Sequence, residues 1–443
     1  MKIVIAGAGE VGSHLGRLLS EEGQDVILID EDEERLNDFE MYNLLTFAGR
    51  TNSFATLRDS GAKGCDLFIA VTPFESRNLV ACAMAKKFGA VNTVARIDNF
   101  EYMKPENKPF FTNLGVDDVI YPEYLAAQEI LTSLQRTWVR SWFELVDGHL
   151  VIVGVKLRGN ARLVGMQLKE LAMQSGYMHI SAIKRNHETI IPGGGDSVHE
   201  GDIVYIATTK EFIPNVLEMT GKKPIEVKRV MIMGGSRIAV QLVRAAAGRY
   251  KFKIIESDRK RCYELAELLP ECNIIHGDGR DVELLQEEGV SDCEAFVALT
   301  GSSETNILGC LAAKEYGVKK TIAEVENIQF ISEAEGLNIG SVVNKKLLAS
   351  SRIFQLMLDR DSSNSKCLAL ADAEVAELVV KEGSRITRDA VMNLNLSRDM
   401  TIAGLVRDGR GLLVKGNTRI QAGDHVVIFC LHGALHKMEK LFK

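Results

Sequence analysis

The sequence predicts an α/β protein with two tandem Rossmann-like doubly wound parallel-sheet domains, each followed by a small α+β domain. Three observations predict it. Short Val- and Ile-rich runs alternate with helical patterns, a GxGxxG loop opens the first helix, and the whole arrangement returns once along the chain. A length of 443 residues allows two to four domains at roughly 100–200 residues each. An apolar fraction of 46% and a charged fraction of 26% exclude a disordered or collagen-like chain. The net charge of −7, from 53 basic and 60 acidic residues, argues against a nucleic-acid partner, which would need a basic face.

In the first copy, strands are expected at Lys2–Ala6, Val26–Asp30, Leu44–Phe47, Leu67–Val71, Thr93–Ile97 and Val119–Tyr121. These runs do not alternate apolar with polar, as expected of strands buried on both faces. The next unit carries strand-like runs at Trp142–Val146, Val151–Leu157, His179–Lys184 and Ile203–Ala207 with fewer helices between them. From Arg229 the opening block KIVIAGAGEVG returns as RVMIMGGSRIA. LFIAVTPFESRN returns as AFVALTGSSETN. The offset is 234 − 7 = 227 at the first glycine and 306 − 78 = 228 at the asparagine. A second pair of blocks, GGDSVHEGD and GNTRIQAGD, closes on Gly-Asp at Asp202 and Asp424 before a last strand and a helix. Two repeats are too few for a solenoid, so the chain reads as a tandem duplication. The expected divisions are residues 1–138, 139–222, 227–360 and 361–443.

Gly7-Ala8-Gly9-Glu10-Val11-Gly12 follows a strand at once and opens a helix. Gly7 permits the tight turn, Gly9 lets the backbone approach a pyrophosphate, and Gly12 lets the helix pack close to the strand. The helix N-terminus offers free N–H groups to phosphates. Asp30 ends the second strand 30 − 12 = 18 residues past the last glycine, where a carboxylate accepts ribose hydroxyls. Such an acid repels a 2′-phosphate, so NAD or an adenine nucleotide is favoured over NADP. The second copy, Gly234-Gly235-Ser236-Arg237-Ile238-Ala239, keeps the acid as Glu256 but replaces the second and third glycines. Its site is therefore weaker, altered or empty. Arg35 and Arg261 each lie five residues beyond their acid. Either stacks on adenine, pairs with phosphate or is a solvated helix residue.

Other chemistry is sparse. No GxSxG, HExxH or Walker A pattern occurs. His432 and His436 are spaced i, i+4 without an evident third ligand, so surface histidines are the plainer reading. His14 either lines the pocket or sits on a helix face. Eight cysteines form no CxxC pair and read as free thiols in a reducing compartment. No apolar run reaches the roughly 18–20 residues that cross a bilayer. The apolar run in MKIVIAGAGEVG is too short for a signal peptide, so the chain is expected in the cytoplasm. A duplicated nucleotide fold without a chemical partner points to sensing rather than turnover.

GAGEVG with Asp30, LFIAVT, Asn78 and the ARI run at Ala95–Ile97 resemble the nucleotide-binding RCK (or KTN) domain. The Gly-Asp units resemble its C-terminal companion. The four-part order resembles the regulatory subunits of Trk-type potassium uptake systems. That resemblance implies a non-enzymatic subunit that binds NAD (NAD+ or NADH), with ATP or ADP as further ligands. It implies a ring of RCK units under a membrane potassium transporter, and so a cytoplasmic protein held at the inner face of the membrane. It assigns Gly7, Gly9, Gly12 and Asp30 to the dinucleotide loop and ribose acid, and brings Thr72, Asn78 and Arg96 close to the nucleotide. It also implies that the helices at Glu123–Thr137 and Lys345–Asp359 pack against a neighbouring RCK unit. Two positions depart from the family. Gly49-Arg50 stands where Gly-Asp is usual (Gly277-Asp278 in the second copy), and Glu324 stands where the first copy has Arg96. A regulator of another ion transporter or antiporter, and an NAD-dependent oxidoreductase with a structural second half, are the alternative readings.

Overall fold

A computed structural model describes residues 1–39, 41–174, 176–186, 188–327, 329–337, 339–358, 366–369, 373–431, 434 and 441–442. The first copy runs β1 (Lys2–Ala6), α1 (Glu10–Glu21), β2 (Asp25–Asp30), α2 (Glu33–Asn37), β3 (Leu45–Ala48), α3 (Phe54–Asp59), β4 (Leu67–Ala70), α4 (Glu75–Lys87), β5 (Asn92–Arg96), α5 (Lys108–Leu114), β6 (Asp118–Ile120) and α6 (Pro122–Gln135). Its strands form a parallel sheet in the order β3-β2-β1-β4-β5-β6. Ile3, Val4 and Ile5 of β1 and Phe68 and Ile69 of β4 are wholly buried, because helices cover both faces of these central strands. The order reverses between β1 and β4, and their carboxyl ends flank the crevice where such sheets bind ligands.

The first small unit comprises β7 (Ser141–Leu145), β8 (Leu150–Lys156), α7 (Leu168–Gln174), β9 (His179–Arg185), β10 (Glu188–Ile190), β11 (Ile203–Thr208) and α8 (Ile213–Thr220). It is an antiparallel sheet ordered β10-β9-β11-β8-β7. Strand β10 is not legible in the sequence: it has three residues, and its side chains are exposed or half-buried.

The second copy repeats the pattern with β12 (Arg229–Met233), α9 (Arg237–Ala246), β13 (Lys251–Glu256), α10 (Arg259–Leu268), β14 (Asn273–His276), α11 (Val282–Glu287), β15 (Ala295–Ala298), α12 (Ser303–Glu315), β16 (Lys320–Glu324), α13 (Gln329–Gly336), β17 (Ser341–Val343) and α14 (Lys345–Leu358). The sheet order β14-β13-β12-β15-β16-β17 matches that of the first copy. The last sheet contains β18 (Lys366–Ala369), β19 (Ala373–Val379), β20 (Met400–Arg407), β21 (Arg410–Leu413) and β22 (His425–Leu431), ordered β18-β19-β22-β20-β21. The helix expected after β22 falls largely outside the described residues.

The paired Gly-Asp blocks have a structural cause. Gly201 and Gly423 turn with positive φ of 90° and 88°, a conformation that favours glycine. The buried Asp202 carboxylate then receives Arg185 through Nε at 2.9 Å and Nη2 at 2.7 Å, and the His199 N–H at 2.8 Å. Asp424 receives Arg407 at 2.8 and 2.7 Å and the Gln421 N–H at 2.8 Å. The offsets are equal, 407 − 185 = 222 and 424 − 202 = 222. A two-pronged guanidinium–carboxylate pair fixes the loop to the strand with defined geometry.

The chain separates into two bodies, Met1–Leu125 with Lys345–Arg360, and Ala126–Asn344 with Asp361–Lys443. In the first, α14 packs on α1 and β6. In the second, the remainder of α6 lies with the second copy's sheet, where Ser133 Oγ meets Ser341 Oγ at 3.2 Å. The buried Lys320 donates to the Val139 carbonyl and to Ser341 Oγ, both at 3.0 Å. Each crossover helix therefore serves the other copy in the same chain. The two small sheets share one core, in which Ile152 and Ala182 meet Val375, Ala403 and Phe429.

Candidate functional site

The glycine loop leaves β1 through Gly7, whose φ is +117° and whose N–H donates to the Ile29 carbonyl at 2.7 Å. A Cβ on Gly12 would stand 1.8 Å from the Gly7 oxygen, so only glycine lets α1 start so close to the strand. Gly9 is different. It caps α1 with an ordinary φ of −68°, and a Cβ there would meet no protein atom within 4 Å. Its missing side chain leaves open space at a helix N-terminus, the place where phosphate oxygens find N–H donors.

Asp30 is buried at the end of β2. Its Oδ2 accepts the Ala8 N–H at 2.6 Å and its Oδ1 accepts the Asp32 N–H at 2.9 Å. A carboxylate has about four acceptor positions, so these two bonds leave capacity for ribose hydroxyls. Val11 is buried beneath the loop and Glu10 is exposed at the first helical position. Glu10 pairs with Lys346 of α14. His14 is half-buried on α1.

The other expected residues divide. Arg35 pairs at 3.1 Å with Asp32, the cap of its own helix, and is half exposed. Thr72 is buried, and both its N–H (2.9 Å) and its hydroxyl (2.6 Å) donate to Asn78 Oδ1. Asn78 returns its amide to the Thr72 and Arg96 carbonyls, each at 2.9 Å. Thr72 and Asn78 thus lock the end of β4 to the end of β5. The second copy repeats the lock with Thr300, Asn306 and the Glu324 carbonyl. Arg96 stands 3.7 Å from the buried Glu123 carboxylate at the start of α6.

A cluster beside Asp30 escaped sequence reasoning. Glu31 takes Arg77 of α4 at 2.7 Å and lies 3.7 Å from Arg50. Hydrogen bonding and charge from Arg77 lower the Glu31 pKa. The Arg77 guanidinium stands 4.7 Å from the Phe74 ring centroid. The available signal was Arg50 itself, a basic residue just past β3.

In the second copy, Gly234 keeps a positive φ of 99°. Glu256 accepts the Gly235 N–H at 2.6 Å and the Asp258 N–H at 2.8 Å, as Asp30 does. Ser236 turns its hydroxyl to the Ala239 N–H at 3.4 Å and caps α9. Arg261, unlike Arg35, reaches the loop and donates from Nε to the Gly235 carbonyl at 2.9 Å. A cavity of about 420 Å³ opens here, lined by Gly235, Ser236, Glu256, Asp278, Arg280 and Thr300 among others. Its volume lies in the range of small-molecule sites. Arg280 grips Asp278 at 2.6 Å and holds its carboxyl down to about 2.

His432 and His436 lie outside the described residues. Among the described residues, no group of three His, Cys, Asp or Glu side chains is placed to hold a metal ion. Cys65, Cys82, Cys310 and Cys430 are buried free thiols, and burial pushes Cys65 up to about 11 and Cys310 up to about 12. No helix among the described residues is long and apolar enough to cross a membrane.

The TrkA-N domain profile matches residues 3–122 and 230–345, and the TrkA-C domain profile matches residues 152–220 and 375–443. The chain belongs to the TrkA family. It is 30% identical to the Trk system potassium uptake protein TrkA of Haemophilus influenzae, over 100% of this chain and 99% of that protein. It is likewise 30% identical to the protein of that name from Azorhizobium caulinodans, over 100% and 99%. A TrkA homologue of Methanosarcina mazei is 29% identical with full coverage of both chains. Among solved structures, the GsuK RCK domain shares the fold with a TM-score of 0.59 at 15% identity, over 100% of this chain and 94% of that one. The GsuK channel bound to NAD gives a TM-score of 0.59 at 15% identity, over 100% and 78%. TrkA-N matches thus fall on the two parallel-sheet units and TrkA-C matches on the two antiparallel ones.

Proposed function

We propose that this TrkA-family chain is the cytosolic nucleotide-sensing subunit of a Trk-type potassium uptake system. It is built of four domains divided near residues 138, 222 and 360. The observation that carries the reading is the Asp30–Ala8 closure in front of the open space at Gly9. A helix N-terminus for phosphates and a buried carboxylate for a ribose stand at one strand switch point. NAD+ or NADH fits both features, and ATP or ADP shares the adenosine and the phosphates. The family relationship supports a membrane potassium transporter as the partner, and in this reading several chains assemble as a ring at the inner face of the membrane. The role is regulatory rather than catalytic. Ligand acts by binding one state of the assembly more tightly than another, since equal affinity for both would shift nothing. A tenfold shift needs only about 1.4 kcal/mol of differential binding.

Calorimetric titration of the whole chain with NADH, NAD+, ATP and ADP, with NADPH as control, tests the reading. Saturable binding with NADPH much weaker is expected, and the stoichiometry counts the working sites. No heat with any of these nucleotides would remove the nucleotide mechanism.

A further inference from the structure

Lys346 is the second residue of α14 and belongs by sequence to the second copy. Only about 9% of its side chain is exposed, and its ammonium pairs with Glu10 at the first helical position of α1. Glu10 directly follows Gly9, the N-cap of α1, where phosphates are expected to enter. An uncompensated acid at the mouth of a phosphate loop would repel them. The buried ammonium cancels that charge, and burial lowers its pKa.

The charges at the two matching positions in the other copies are exchanged. The residue matching Glu10 in the second copy is Arg237, at 237 − 10 = 227. The residue matching Lys346 in the first crossover helix is Glu123, at 346 − 123 = 223. Both positions reverse sign, but Glu123 stands 3.7 Å from Arg96 of its own copy, whereas Lys346 pairs with Glu10 of the first copy.

We propose that Lys346 is a specificity-determining residue of the first nucleotide site, which selects ligands by phosphate charge. The proposal rests on the nucleotide reading above. Phosphate at the Gly9 loop competes with Glu10 for the Lys346 ammonium, as charge-assisted bonds to phosphate oxygens replace one ion pair. Ligands with more phosphate charge gain more from it. Lys346 lies on the crossover helix, so the state of the phosphate site is felt directly by α14.

The test is calorimetry of the full chain with AMP, ADP, ATP and NADH, for wild type, Lys346→Gln, Lys346→Arg and Glu10→Gln. Lys346→Gln should weaken ATP about tenfold or more and AMP less than about threefold. Lys346→Arg keeps the charge and should stay within about threefold of wild type for ATP. Glu10→Gln should tighten ATP. Thermal unfolding of each variant reports whether it folds. Equal losses for AMP and ATP in Lys346→Gln, or no loss, would overturn the proposal while the nucleotide reading stands. A wild-type chain that binds none of the four would end both.

Discussion

The Asp30 carboxylate accepts the backbone N–H of Ala8 at 2.6 Å. The acid that would hold a ribose thus also closes the loop that would hold phosphates. Asp30→Ala should therefore do two things. Adenosine nucleotide affinity falls by about tenfold or more, because a charged acceptor is lost. Stability falls by about 1–3 kcal/mol, because the buried Ala8 N–H loses its partner. Calorimetry and denaturant unfolding read the two effects separately. Unchanged affinity with lowered stability would leave Asp30 a loop fastener alone.

Gly9 and Gly12 separate ligand from fold. Gly9→Ala places its methyl where no protein atom lies within 4 Å, whereas Gly12→Ala drives one to 1.8 Å from the Gly7 oxygen. Gly9→Ala should keep the wild-type melting temperature and lose nucleotide affinity by about tenfold. Gly12→Ala should lower the melting temperature as well, as overpacking at backbone costs about 1–3 kcal/mol. Thermal unfolding beside calorimetry distinguishes them, and a normal affinity in Gly9→Ala would deny the open space a phosphate.

The contrast between these glycines also marks what the sequence could carry. Strand positions in the first copy were legible within a residue; β1 and β4 are buried and read as unbroken apolar runs, whereas β3 at the sheet edge is largely exposed, contrary to the expectation of burial on both faces. The glycine loop and the acid that closes it were legible because backbone geometry restricts residue type there. Arg35 and Arg261 occupy equivalent positions, yet one pairs with Asp32 and the other with the Gly235 carbonyl. Long side chains choose partners by neighbours that spacing does not reveal. The Thr72–Asn78 lock, which ties the end of β4 to the Arg96 carbonyl, depends on side-chain geometry that spacing does not reveal. The Glu31–Arg77 pair and the Lys346–Glu10 pair join residues distant in sequence, so no local pattern announces them.

The Gly-Asp staples make a paired prediction. Asp202 and Asp424 are 2% and 1% exposed, and each receives a guanidinium through two nitrogens. Removing either acid leaves a half-buried arginine and a loop N–H without their acceptor. Asp202→Ala and Asp424→Ala should each cost about 2–4 kcal/mol, below the full penalty for a buried pair because the arginines keep some solvent. Denaturant unfolding of the two variants should show similar losses. A loss in only one would mean that the two modules use the staple differently.

Lys320 makes the stability of the second body depend on alkaline pH. Burial pushes its pKa down to about 7, with Arg140 and Lys314 lowering it further and Glu129 opposing them. In the unfolded chain a lysine keeps its proton until about 10.4. Between those values the unfolded state binds more protons, so stability rises with pH. Below about 7 both states are protonated, and the folded protein bears the full cost of a buried ammonium. The melting temperature should therefore climb from pH 7 to 9.5, by about 2–4 °C for each kcal/mol recovered. Lys320→Met should flatten that climb. Glu129 holds the Lys320 pKa up, so Glu129→Gln should move the start of the climb to lower pH. A wild-type profile that stays level across this range, with Lys320→Met indistinguishable from it, would show that Lys320 keeps its proton in the folded chain and that its bonds to Val139 and Ser341 hold a charged group.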